Sequence, residues 1–287
     1  RPEIQDVADV IGDSLYLAKK IKEVDPEKRI IYATVKFMAE TGALLNPKAK
    51  IYFPVANALC PMAMFCTPKL LKKYKNNNPE IPIVMYINSS TEAKQYADVV
   101  CTSSNAVRIC EAILEETGAK KLAFAPDRNL GHYVQKQLGI KMDILPEKGH
   151  CRVHEDFSQQ DVVKKKKKHP NAKIVVHPEC IAPVIEAADY VGSTSAIYNY
   201  VYDNSDQEIG IGTEVGLGDR LKRENPSFNI HPLKEGAICY AMKQFTMESI
   251  VFALENLDGQ VKPITVEEKV AEKARKPVEK MFSFMKE

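Results

Sequence analysis

Short apolar runs alternate with longer stretches in which apolar residues return every three or four positions, and this pattern covers nearly the whole chain. Residues 83–87 and 174–176 are unbroken apolar runs, as expected of strands buried on both faces. Behind each come a short helical stretch, an apolar pair, a second helix (105–116 or 196–202) and a further strand (121–125 or 208–212). Residues 29–33 match that further strand near the start of the chain. Another helix and a last strand follow in all three places, at 50–54, 141–145 and 229–232. Strands alternating with helices predict parallel sheets covered on both faces. An amphipathic stretch over 265–287 predicts a terminal helix docking on the first unit.

The pattern repeats. Arg1-Pro-Glu-Ile-Gln-Asp-Val-Ala-Asp9, Ser90-Thr-Glu-Ala-Lys-Gln-Tyr-Ala-Asp98 and His177-Pro-Glu-Cys180 with Ala188-Asp189 each carry a Glu, an Ala-Asp pair, two apolar residues and then a hydroxyl. Asp9, Asp98 and Asp189 lie 89 and 91 positions apart, and Ser14, Ser103 and Thr194 each stand five residues beyond their Asp. From Glu to Asp the gap is six after Glu3 and Glu92 but ten after Glu179, an extra length of about one helical turn. Cys60, Cys151 and Cys239 follow the three Asp residues by 51, 53 and 50 positions. A period near 90 residues is too long for a solenoid, so each copy is expected to be a small domain. The expected architecture is α/β: three αβα sandwiches with parallel sheets, related by a pseudo-threefold axis around a central active site. The expected boundaries are 1–76 completed by 246–287, then 77–168, then 169–245. The first copy lacks the opening strand of the other two.

Composition narrows the functional classes. A net charge of +2 gives no field that would attract nucleic acid or an anionic membrane. The basic run Lys164 to Lys168 has no interleaved aromatics and reads as a solvated helix end. No stretch has the roughly 18 apolar residues of a membrane span, and no secretory signal is visible. Seven cysteines without a Cys-x-x-Cys pair suit reduced thiols in the cytoplasm better than a disulfide framework or a zinc ribbon.

Every repeated polar residue falls at the carboxyl end of a strand, where open α/β sheets bind ligands. The segments Gly12-Asp-Ser14, Thr102-Ser-Ser-Asn105 and Gly192-Ser-Thr-Ser195 each stand between a short strand and a helix start. They can serve as helix caps or as seats for carboxylate or phosphate. Three thiolates from three domains suit an iron–sulfur cluster that keeps one iron free of protein. His177 and Glu179 take the places that Tyr86 and Asn88 hold in the second copy, and His154 can reach Cys151. Cys66, Cys101, Cys110 and Cys180 lack counterparts and read as core or surface thiols; His132, His150, His169 and His231 read as surface residues.

These segments resemble the quinolinate synthase family. The matching stretches include Arg1-Pro-Glu-Ile-Gln-Asp6, Phe37-Met-Ala-Glu-Thr41, Tyr86-Ile-Asn-Ser89, Gly149-His-Cys-Arg-Val-His154, His177-Pro-Glu-Cys180, Ala188-Asp-Tyr-Val-Gly-Ser-Thr-Ser195 and Gly212-Thr-Glu-Val-Gly216 with Arg220. The resemblance implies a transferase of de novo NAD biosynthesis that condenses iminoaspartate with dihydroxyacetone phosphate, releasing phosphate and two waters. It implies a [4Fe–4S] cluster on Cys60, Cys151 and Cys239, with an open iron acting as Lewis acid. Ser14, Tyr86, Asn88, Ser103, His177, Glu179 and Thr194 are the implied substrate contacts, with Glu179, Tyr86 and His177 as the groups that move protons. The implied partner is the enzyme that supplies iminoaspartate. In the family, a strand just before Arg-Pro-Glu carries a further His and Tyr of the site, and these residues have no counterpart here. Two other readings of the same features are a diphthamide-type iron–sulfur enzyme using S-adenosylmethionine and a cluster-free small-molecule sensor.

Overall fold

The computed structural model describes residues 1–285; the last two residues of the expected terminal helix, 286–287, lie outside them. Three parallel sheets form. The first pairs β1 (Arg29–Ile31) with β2 (Lys50–Tyr52). The second holds β3 (Ile83–Tyr86), β4 (Val99–Cys101), β5 (Leu122–Ala125) and β6 (Met142–Ile144) in the order β4-β3-β5-β6. The third holds β7 (Lys173–Val176), β8 (Tyr190–Val191), β9 (Ile209–Gly212) and β10 (Ile230–Pro232) in the order β10-β9-β7-β8. Counted within each copy, the second and third sheets have one strand order, and β1-β2 reproduces their third and fourth strands.

The central strands are buried throughout: Ile83, Val84, Met85, Leu122, Ala123 and Phe124 are inaccessible to solvent. The third sheet divides its side chains by the two-residue period of a strand. Val175 faces one core with Ile209 and Ile211, while Ile174 and Val176 face another with Val184 and Cys180. Helix Glu268–Ser283 packs on β4 and on helices Thr91–Lys94 and Lys36–Leu45, so it bridges the second copy and the first rather than docking on the first alone. Arg275 Nε donates to the Leu44 carbonyl at 2.7 Å, and Lys280 pairs with Glu116 at 2.6 Å. Among the described residues no helix is long and apolar enough to cross a membrane.

The repeated Asp is structural. Asp98 Oδ2 accepts the Ile83 N–H at 2.7 Å and Asp189 Oδ2 accepts the Ile174 N–H at 2.8 Å, each closing the start of its central strand. Each carboxylate also pairs with a lysine of the preceding helix, Lys75 at 2.7 Å and Lys166 at 3.2 Å. Asp9 is exposed, and Val10 and Ile11 form no strand, contrary to the expected strand before Gly12-Asp-Ser14. A β4-like strand needs a β3-like neighbour for its backbone hydrogen bonds, and the described residues contain none for the first sheet.

The register also corrects the repeated Glu. Ile83 pairs with Ala123 and Ile174 with Gly210, which equates Tyr86 with His177 and Asn88 with Glu179. Asn88 and Glu179 each stand ten residues before their Asp, so no extra turn is inserted. Glu3 and Glu92 are exposed and share only a motif-like spacing with Glu179.

Candidate active site

The three repeated cysteines differ from the other four in accessibility. Cys60, Cys151 and Cys239 are half-buried, whereas Cys66, Cys101, Cys110 and Cys180 are buried in the cores. Each of the three opens a helical turn. The Cys60 sulfur faces the N–H groups of Met62 and Ala63, Cys151 that of His154, and Cys239 those of Met242 and Ala241. Burial pushes the Cys60 thiol up to about 12 and raises Cys151 and Cys239, against the backbone N–H groups that favour the thiolates. The three share one neighbourhood: the charge of Glu179 reaches every one of them, Cys239 reaches Cys60, and Cys60 reaches Cys151.

One backbone contact holds all three loops. The carbonyl two residues before each cysteine accepts an N–H from the helix start behind it: Lys36 N–H to Ala58 at 3.0 Å, Arg128 N–H to Gly149 at 2.8 Å, and Val215 N–H to Ala237 at 3.0 Å. In the second copy the approach demands glycine, because a Cβ on Gly149 would sit 1.8 Å from the Pro126 carbonyl oxygen. Among the described residues, a second contact exists in two copies only. Asp127 Oδ2 accepts the Cys151 N–H at 2.9 Å while its Oδ1 caps helix Arg128–Leu138 through Leu130 N–H at 2.7 Å. Glu214 Oε1 accepts the Cys239 N–H at 3.4 Å while its Oε2 takes Gly216 N–H at 2.8 Å, and Lys243 pairs with it at 3.2 Å. The strand register and the latch place Val35, whose side chain has no acceptor, at the corresponding position of the first copy.

Beside Cys151 stand His154 and Glu179, joined by His177, Tyr86 and, through His177, Ser103. Glu179 is buried beneath two stacked imidazoles, His154 and His177, whose ring centroids are 4.6 Å apart. Its Oε2 lies 2.6 Å from His154 Nδ1, out of line for a hydrogen bond, and 3.3 Å from His177 Nδ1. Cys151 Sγ, a ring nitrogen of His154 and a Glu179 oxygen lie within 4.8 Å of one another. Burial alone would raise the Glu179 carboxyl, but the two imidazoles beside it, when protonated, outweigh this and bring it below the usual range. Burial lowers His154. The His177 Nδ1 takes the Glu179 N–H at 3.3 Å, which leaves Nε2–H to donate to Ser103 Oγ at 3.1 Å. His154 Nε2 meets Thr213 Oγ1 at 2.9 Å. Tyr86, 5% exposed, is held protonated first by burial and then by the Glu179 charge beside its hydroxyl.

Two buried acceptors, Asn88 Oδ1 and Glu179 Oε1, have no hydrogen-bond partner. Polar atoms buried in this way cost about 1–3 kcal/mol each unless a bound group satisfies them. Ser14 and Thr194 are the first residues of helices Ser14–Glu23 and Thr194–Asp203, yet neither is the cap. Asp13 and Ser193 cap those helices, so the Ser14 and Thr194 hydroxyls are left for another partner. Neither hydroxyl hydrogen-bonds to the Glu179 group among the described residues. Asp127, Thr213 and Glu214 were not singled out as site residues from the sequence. The signal existed: Asp127 and Glu214 each lie two positions beyond the third strand of their copy and precede their cysteine by 24 and 25 positions.

The family model described as quinolinate synthetase A protein matches residues 1–283. Quinolinate synthase of Thermotoga maritima is 42% identical over 284 residues, which cover 99% of this chain and 92% of that protein. The Methanocaldococcus jannaschii enzyme of the same name is 40% identical over 285 residues, covering 98% and 90%. That of Pyrococcus horikoshii is 40% identical over 285 residues, covering 99% and 92%. A full-length family match, together with relatives of this identity and coverage, means that the chain belongs to the quinolinate synthase family.

Proposed function

We propose that this chain condenses iminoaspartate with dihydroxyacetone phosphate to give quinolinate, phosphate and two waters, as a step of NAD biosynthesis. The reaction balances without oxidant or reductant, so it needs bond formation, eliminations and proton transfers but no electron carrier. The observation that carries the reading is a half-buried Cys151 beside the buried His154–Glu179–His177 group, with Cys60 and Cys239 close enough to feel the same Glu179 charge and two unpartnered acceptors alongside.

The donor set fits a [4Fe–4S] cluster held by Cys60, Cys151 and Cys239: three soft sulfurs, each at a helical turn whose N–H groups favour the thiolate. When bound, the cluster supplies Lewis acidity for the loss of poor leaving groups. The rest is done by the chain's own side chains. Substrate carboxylates need neutral or cationic donors, and Ser14, Ser103, Thr194, the Asn88 amide and His177 supply them. Glu179, ionised between two imidazoles, accepts a substrate proton during isomerisation or ring closure, and the imidazoles share it. Tyr86, held protonated, returns a proton to an oxygen or carbon centre. The buried setting excludes water from these steps, which strengthens each of these interactions.

Glu179→Gln tests the role of the carboxylate. The variant is expected to keep its iron and sulfide while turnover falls by about 100-fold or more. Near-normal turnover with an intact cluster would remove Glu179 from the proton path.

A further inference from the structure

At the opposite end of the third sheet from the cysteines, three metal-ligating side chains meet. His169 ends helix Gln159–Lys168, Glu208 immediately precedes β9, and His231 lies on β10. His169 Nδ1 stands 2.7 Å and His231 Nε2 3.0 Å from the same oxygen, Glu208 Oε1. The two imidazole rings stack with centroids 4.0 Å apart at 28°, and all three side chains are half-buried. The sequence reading that left His169 and His231 as unconnected surface residues is therefore replaced: the fold brings residues 62 positions apart onto one carboxylate.

We propose that His169, Glu208 and His231 form a binding site for a divalent d-block cation of the zinc type, separate from the cysteine site. Two arguments support it over a plain hydrogen-bonded clamp. First, the three donor atoms already lie within 4.8 Å of one another, two of the pairs at 2.7 and 3.0 Å, against roughly 3.3–3.6 Å between donors around a tetrahedral ion held at about 2.0–2.2 Å. An ion can enter once the side chains move apart by about 1 Å or less. Second, the donor set is two imidazoles and one carboxylate, which selects zinc, nickel or cobalt over calcium or magnesium, whose sites are built from oxygen. Both rings already present a nitrogen to the shared oxygen, so metal binding needs only a tautomer change in neutral imidazoles. Because the ligands come from three elements, the ion ties the end of the lysine-rich helix to β9 and β10. Its effect is on the stability of the third copy, and the condensation chemistry does not depend on it.

Calorimetric titration of the cluster-loaded protein with zinc chloride, in the absence of oxygen, tests this. With the cysteines occupied, wild type is expected to bind one zinc. His231→Ala and His169→Gln are each expected to weaken it by more than the roughly 10- to 100-fold that loss of a supporting contact costs. The midpoint of thermal unfolding should rise with zinc in wild type and stay fixed in both variants, with quinolinate formation unchanged throughout. His169→Gln keeps a hydrogen bond to Glu208, so it separates metal binding from folding if His231→Ala is unstable. Absence of binding up to millimolar zinc, or equal affinity in wild type and His169→Gln, would overturn the proposal.

Discussion

In the second copy the loop that carries Cys151 is tied twice to the strand end behind it, through the Gly149 carbonyl and through Asp127. In the first copy the loop that carries Cys60 has the equivalent carbonyl contact from Ala58, but Val35 stands where the carboxylate would be. The third copy is intermediate, with Glu214 reaching Cys239 at a longer 3.4 Å and also engaging Lys243. The difference separates two jobs that the repeat alone makes look like one. The backbone latch is common to all copies and sets where each loop runs. The carboxylate is an added support that fixes the peptide at the cysteine itself, and the copies carry it in decreasing strength.

The comparison can be broken most severely at the latch. Gly149→Ala puts a methyl group against the Pro126 carbonyl and is expected to destabilise the protein by more than about 2 kcal/mol. Ala58→Gly and Ala237→Gly leave their carbonyls in place and are expected to cost only about 1 kcal/mol or less. Urea unfolding of the three variants compares them directly; equal costs would mean that the latch is not under steric control.

A smaller effect is expected at the carboxylates. Asp127→Asn keeps one acceptor for two N–H donors, so the Cys151 peptide loses its partner or the helix loses its cap. Iron bound per chain is expected to fall most in Asp127→Asn, less in Glu214→Gln and hardly at all in Val35→Thr. A large loss in Val35→Thr would show that the first copy depends on this position as the others do.

A pH-dependent effect is expected where the first and second copies meet. Lys94 is fully buried, donates to the Ser89 carbonyl and lies over the Phe37 ring, and Glu40 beside it accepts from Thr91 Oγ1 at 2.9 Å. Burial lowers the Lys94 ammonium from 10.5 to about 7, with Glu40 and Glu92 opposing the shift. The folded protein therefore sheds this proton near pH 7 while the unfolded chain holds it to about 10.5. Between those values the unfolded state binds more protons, and stability gains a contribution that rises with pH. Lys94→Met is expected to remove that rise. Urea unfolding of wild type and variant at pH 6.5 and 9 measures the difference, and parallel pH dependence would assign the rise to other groups.

Much of this arrangement was legible in the sequence because it is local or periodic. The apolar runs gave eight strands to within two residues at either end, and the cysteine spacing picked out the three half-buried thiols from seven. Tyr86, Asn88, His177 and Glu179 were readable as a set because they follow equivalent strands. What failed depended on pairing across the chain. The repeated Glu matched by spacing yet fell out of register, since only the sheet's hydrogen bonds fix which residues correspond. The strand expected at Val10 and Ile11 had the right composition but no neighbour to bond among the described residues. Asp127 and Glu214 differ in residue type, so a motif search passes over them although they occupy one position of the repeat. His169, Glu208 and His231 have no periodic signal at all and meet only through the fold.

The account rests on Cys60, Cys151 and Cys239 acting as one ligand set drawn from three copies. Iron and sulfide analysis of anaerobically purified wild type, the three single Cys→Ser variants and Cys180→Ser as a buried control tests this most directly. Wild type and Cys180→Ser are expected to hold about four irons and four sulfides per chain, and each of the three other variants to lose the set. Full iron and sulfide content in Cys60→Ser, Cys151→Ser or Cys239→Ser, or none in wild type, would contradict it.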